Sequence, residues 1–199
     1  VSRLPLTGDK SSPVIIATGP LTSSSLSTDI AELVGQEYLY FYDAISPVVM
    51  ADSIDRTKVF RASRWDTDSL EGDYLNCPFN NYEYQALYEE LVAAELTDIH
   101  DFDRARFFEG CLPVEVMARR GPDTLRFGPM KPVGLTDPKT GRRPYAVVQL
   151  RQDNIAADHY SLVGFQTQIK WGEQRRVLRM IPGLERGEFE RFGMIHRNT

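Results

Sequence analysis

The apolar positions of this chain change spacing several times, and each change marks an element. Val14-Ile15-Ile16-Ala17 is a short β-branched run closed by Thr18-Gly19-Pro20, which predicts a buried strand. Leu26, Ile30, Leu33 and Val34 then fall on one face of a helix that Gly35 is placed to cap. A strand, a small-residue turn and a helix open an α/β fold. Tyr38 to Tyr42 predicts another strand. Residues 51–76 mix charges with little periodicity and predict loops and short elements. The strongest helical signal runs over 80–96, where Tyr84, Leu87, Tyr88, Leu91 and Val92 form one stripe. Asn80 with Glu83 resembles a capping box, and Phe79 is placed to staple onto Tyr84. A shorter helix is predicted from Pro113 to Gly121, followed by a Gly-, Pro- and base-rich loop or hairpin up to Pro144. Tyr145–Leu150 and Ser161–Ile169 predict strands, Trp171–Met180 a helix stopped by Pro182-Gly183, and Glu188–Thr199 one last strand.

Composition adds bounds. The 199 residues, 42% hydrophobic and 26% charged, match an ordinary globular chain large enough for a real core. No run of 18 apolar residues is present to cross a membrane, and the first residues lack a secretion signal. Two cysteines without a CxxC spacing, and three histidines, argue against a disulfide scaffold and against a metal site. A cytoplasmic location is the expectation. Both ends, Val1 and Thr199, lack terminal character, so a piece of something larger is expected. Charge is uneven: residues 1–116 carry a net −12, residues 117–151 a net +6 and residues 152–199 a net +1. The basic group is Arg119, Arg120, Arg126, Lys131, Lys139, Arg142, Arg143 and Arg151. It suits an anion such as phosphate or RNA, or it is a solvated loop.

Cys111, in Phe108-Glu109-Gly110-Cys111-Leu112-Pro113, precedes a predicted helix start. Partial positive charge there favours a thiolate, the form that attacks electrophilic carbon, whereas Glu109 and Glu115 oppose it. The other reading is a small buried hydrophobe. Cys77, flanked by Pro78 and Phe79, reads as core. The Ala17-Thr18-Gly19 turn could approach a cofactor closely, but no GxGxxG is present, so a complete dinucleotide-binding fold is not encoded. His196-Arg197-Asn198 could bind a planar polar ligand or form an exposed connection.

Several segments carry a resemblance. Val14-Ile-Ile-Ala-Thr-Gly-Pro-Leu-Thr-Ser, Asn76-Cys-Pro-Phe-Asn, Phe108-Glu-Gly-Cys-Leu-Pro-Val-Glu-Val-Met-Ala-Arg-Arg-Gly, Leu125-Arg-Phe-Gly-Pro-Met-Lys-Pro-Val-Gly-Leu, Val147-Val-Gln-Leu-Arg-Gln-Asp-Asn and Met194-Ile-His-Arg-Asn-Thr resemble the folate- and FAD-dependent tRNA (uracil-5-)-methyltransferase family. The flavoproteins of the glucose-inhibited-division type are its relatives and lack the Phe-Glu-Gly-Cys motif. The resemblance implies methylation of C5 of the T-loop uridine of tRNA. Methylenetetrahydrofolate is the implied carbon donor, reduced FAD the reductant and NAD(P)H the electron source.

It implies that Cys111 adds to C6 of uracil, that Ala17, Thr18, Gly19, His196, Arg197 and Asn198 lie against FAD, and that the tRNA T-arm meets Arg119, Arg120, Arg126, Lys131, Arg142 and Arg143. It further implies an α/β architecture: an inserted mixed α+β domain flanked by strands of an FAD-binding Rossmann-like domain of the glutathione-reductase type. Residues 1–36 and 181–199 would belong to the FAD domain and 37–180 to the insert. The family's FAD fingerprint would precede Val1 and further cofactor contacts would follow Thr199. The remaining parts of the same enzyme are then partners, and the chain alone is expected to bind FAD weakly and not to turn over. The alternative is a noncatalytic tRNA-binding module of the same descent; a flavin enzyme acting on another substrate is disfavoured by the lack of a CxxC.

Overall fold

The computed structural model describes residues 15–18, 22–35, 41–65, 72–97 and 112–198, with the backbone alone at 41–43 and 195–198. Two units separate: Val1–Asp43 with His196–Thr199, and Ala44–Ile195. In the smaller, helix α1 (Ser24–Val34) follows Ser23 and ends at Gly35, whose N–H reaches the Ala31 and Glu32 carbonyls. The expected buried strand at 14–17 is not observed among the described residues. Ile15 is 87% exposed and 15–18 has no ladder partner. A β-branched run keeps strand form only where sheet neighbours pair its amides and cover its side chains, and no described residue does so. Strand β1 (Phe41–Ile45), a few residues later than expected, pairs with β8 (Met194–Asn198).

The larger unit is built on a six-stranded sheet. Its strands are β2 (Val48–Met50), β3 (Phe60–Ala62), β4 (Tyr74–Phe79), β5 (Ala146–Gln152), β6 (His159–Leu162) and β7 (Phe189–Arg191). Their order is β3-β4-β5-β6-β2-β7, and every neighbouring pair is antiparallel. Alternation in β4 and β5 sets the two faces. Leu75, Cys77, Phe79, Ala146, Val148 and Leu150 enter the main core, whereas Val147 joins Phe60 and Leu135 in a smaller cluster. On the main face lie α2 (Asn81–Ala93), α3 (Val114–Arg119), α4 (Thr124–Phe127) and α5 (Trp171–Leu178). Tyr84, Leu87 and Leu91 are the buried stripe of α2, and its capping box is formed: Glu83 N donates to Asn80 Oδ1 and Asn80 N to the Glu83 carboxylate. Cys77 is fully buried, as its apolar flanks predict, and burial pushes its thiol pKa up.

The described part of 51–76 holds short elements joined by loops, as expected: a 3-10 turn (Ala51–Ser53), β3 and the start of β4, which pairs with distant β5. Two expectations need correction. The 121–144 loop contains helix α4 and a tight Asp137–Arg142 bridge. The last predicted strand is two, β7 and β8, separated at Phe192-Gly193. The larger unit runs through Ile195: Ile181 and Leu184 are fully buried in the main core, and β7 joins its sheet.

Gly183 supports the turn that returns the chain there. Its φ is +91°, its carbonyl accepts from Asp55 N, and a Cβ would lie 2.6 Å from Val59 Cγ1. Gly183→Ala is therefore expected to lower stability by about 1–3 kcal/mol. A urea midpoint unchanged from wild type would show that the turn tolerates a side chain.

Candidate functional site

Cys111 and the residues before it from 98 lie outside the described residues, but the chain that leaves Cys111 is held tightly. Leu112, Pro113, Val114 and Glu115 are all buried. Pro113 is extended (φ −58°, ψ 142°) and precedes the first turn of α3 as its cap, where its missing N–H costs nothing. Val114 N donates to the Gln166 carbonyl at 2.8 Å. Glu115, with no exposed surface, accepts from Gln168 N at 2.8 Å and from the Thr167 hydroxyl at 2.7 Å. Thr167 Oγ1 in turn accepts from Ile169 N at 3.1 Å. One carboxylate thus fastens the start of α3 to the segment 166–169.

Burial raises the Glu115 pKa, with the hydrogen bonds from Thr167 and Gln168 acting the other way. The Glu115 charge that sequence reasoning set against a Cys111 thiolate is thereby turned into the core and weakened. Sequence spacing gave no sign of the Thr167 partner, 52 residues away.

Beside this segment is an open hollow of about 610 Å³, lined among others by Leu112, Met117, Arg120, Thr124 and Phe127. Phe127 is 80% exposed there. Tyr84 Oη donates to the Pro122 carbonyl at 2.5 Å, tying the rim to α2.

The basic residues separate into three sets. Arg119 and Arg120 are exposed at the end of α3, on the helical face of the sheet. Lys131, Lys139, Arg142 and Arg143 are exposed on the segment that Leu135 anchors to the opposite face, with Phe60 and Val147. Arg126 is already engaged. It donates to the Tyr145 carbonyl at 3.1 Å, pairs with Asp123 at 2.7 Å and lies 3.7 Å over the Tyr145 ring. Its role is structural as much as electrostatic, and these seven residues do not form one face.

Of the residues expected against a cofactor, Ala17 and Thr18 are exposed, and Gly19 lies outside the described residues. His196, Arg197 and Asn198 are in β8 and are described by backbone only. Arg64, which sequence reasoning passed over, reaches the Lys131 carbonyl, the Val133 carbonyl at 3.0 Å and Gln149 Oε1 at 3.1 Å. No local pattern announces such a contact, because its partners lie far along the chain.

A sequence model of the family described as glucose inhibited division protein A matches residues 7–199. The chain belongs to that family. Among its relatives, the methylenetetrahydrofolate--tRNA-(uracil-5-)-methyltransferase TrmFO of Moorella thermoacetica is 63% identical over 94% of this chain, and that of Syntrophus aciditrophicus 61% identical over 94%. The chain spans 42% of the length of each. A solved structure of GidA from Aquifex aeolicus, at 13% identity, aligns with 79% of this chain and 24% of its own at a TM-score of 0.47. The resemblance seen in the motifs thus extends along nearly the whole chain.

Proposed function

We propose that this chain is the nucleophile-bearing, RNA-facing middle part of a cytoplasmic folate- and FAD-dependent tRNA (uracil-5-)-methyltransferase. The observation that carries the reading is 63% identity, over 94% of the chain, to a relative of that name. In this reading Ala44–Ile195 is an inserted mixed α+β domain, and the smaller unit belongs to a Rossmann-like FAD domain completed by the rest of the same enzyme.

The residues at hand fit such a cofactor contact. Ala17 and Thr18 are small and exposed, and α1 begins without a side-chain cap, which leaves its first backbone N–H groups suited to an anion. Ala17, Thr18 and Gly19 from one side, and His196, Arg197 and Asn198 from β8, would hold FAD. When bound and reduced by NAD(P)H, FAD supplies the electrons that turn a methylene taken from methylenetetrahydrofolate into a methyl group.

The chain's own part is to make C5 of uracil nucleophilic. The Cys111 thiolate forms a bond to C6 and the C5=C6 π pair moves toward C5 and the O4 carbonyl, giving an enolate carbon. After substitution, loss of the C5 proton to a base outside this chain restores the double bond and expels the thiolate. Leu112–Glu115, which follow Cys111, are held against 166–169, and a directed addition requires an anchored backbone of this kind.

The test is the full-length enzyme with a tRNA transcript, methylenetetrahydrofolate and NADPH, read by nucleoside analysis. Flavin-loaded enzyme that leaves the T-loop uridine unmodified would overturn the reading. A second expectation concerns the basic residues. In that enzyme, replacing Arg142 and Arg143 together with alanine is expected to weaken tRNA binding and to flatten the plot of log affinity against log salt by about 1–2. Affinity and slope equal to wild type would make this hairpin a solvated surface.

A further inference from the structure

Trp65 sits in a strained backbone that its surroundings hold in place. Its φ is 64°, in the left-handed region, where a bulky residue is a genuine outlier. Trp65 N donates to the Gly134 carbonyl at 3.3 Å, and the guanidinium of the preceding Arg64 bonds Lys131, Val133 and Gln149. A Cβ at Gly134, where φ is +83°, would lie 3.0 Å from indole Cδ2 and Cε2, so the ring packs closely on this glycine. Yet the residue is 72% exposed.

A single exposed aromatic side chain is ordinary. One kept in an unfavourable backbone by its own N–H bond to Gly134 and by the bonds of the preceding Arg64 to Lys131 and Val133, with most of its surface bare, has no explanation in burial.

The segment that braces it is basic. Lys131, whose carbonyl Arg64 engages, is exposed, and Lys139, Arg142 and Arg143 follow on the same segment. Asp66 and Asp68 follow within three residues of Trp65, outside the described residues. Their charge disfavours a phosphate at the indole itself but not the uncharged face of a base. We propose that Trp65 is a stacking platform for an unpaired RNA base, with phosphates on either side taken by the Lys131–Arg143 segment. This rests on the reading that the chain meets RNA. Indole-on-base stacking tolerates any base, so the platform would position a loop without selecting its sequence.

The test uses the full-length enzyme and a T-arm RNA hairpin, with binding followed by anisotropy across a salt series. Trp65→Gly is the informative variant, because glycine enters φ 64° without strain and the fold is expected to persist. The expected result is an affinity loss of about tenfold or more with an unchanged salt slope, while Trp65→Phe stays close to wild type. A fully paired RNA duplex of the same length is expected to bind both proteins equally. Wild-type binding that Trp65→Gly leaves intact overturns the platform alone, as does an equal loss with the duplex. Failure of the wild type to bind the hairpin overturns the RNA reading, and this proposal with it.

Discussion

Full-length enzyme carrying Cys111→Ala is expected to form no covalent adduct with T-arm RNA in which 5-fluorouracil replaces the target base, and to lose methyl transfer by at least about 10³-fold. Fluorine at C5 cannot leave as a proton does, so once sulfur has added to C6 the reverse route is the only exit and the adduct accumulates. The assignment needs a thiolate close to a helix start, and Cys111 is two residues ahead of Pro113, which caps α3. The competing charge of Glu115 is drawn into the core, where burial favours its neutral form. The fully buried Cys77, whose thiol pKa is raised by desolvation, is no candidate for the same role. The measurement is a denaturing gel of enzyme and labelled RNA. An adduct that persists in Cys111→Ala would assign the attack to another residue.

The second large effect falls on Glu115. Removing its carboxylate leaves the Gln168 N–H and the Thr167 hydroxyl proton without their acceptor in a closed interior, and opens a void as well. Glu115→Ala is expected to lower stability by about 2–4 kcal/mol. Glu115→Gln keeps the shape and one acceptor, so its loss is smaller and depends differently on pH. Because burial lifts the folded-state pKa above the ordinary value of 4.5, the folded protein holds this proton more firmly than the unfolded chain does. The stabilisation that follows is complete below that ordinary value and is lost as pH rises through the raised folded value. The stability of wild type minus that of Glu115→Gln should therefore fall as pH rises from about 4.5, and level off once the folded carboxyl has ionised. Denaturant unfolding at a series of pH values measures it. A difference flat across that range would mean that Glu115 has its ordinary pKa in the fold.

Both predictions concern one short stretch, which explains why part of the site was legible beforehand and part was not. Phe108-Glu109-Gly110-Cys111 and Pro113 are contiguous, so a thiol ahead of a helix start can be read directly. Glu115 also stood in view, but only as a charge near Cys111. That it is buried and bonded to Thr167 and Gln168 follows from the return of the chain through 166–169, which no local pattern encodes. Arg126 shows the same limit. As one arginine in a basic run it reads like its neighbours, yet Tyr145 and Asp123 occupy it. Trp65 lies in a stretch without periodicity, and what marks it is a backbone angle and the distant Gly134.

The elements decided by short-range physics were available from the residues alone. Asn80 and Glu83 cap α2 reciprocally within one turn, the stripe of Tyr84, Leu87 and Leu91 orients that helix, and Cys77 between apolar neighbours goes inside. Caps and periodicity act over three or four residues, so sequence contains their whole cause. Tertiary structure decided what depends on partners tens of residues apart: the strand order β3-β4-β5-β6-β2-β7, the division of the basic residues between two faces of the sheet, and the burial of Glu115. Those outcomes follow from which surfaces exclude water together once the chain has closed. The residues state who is polar and who is not; only the closed sheet states who faces whom.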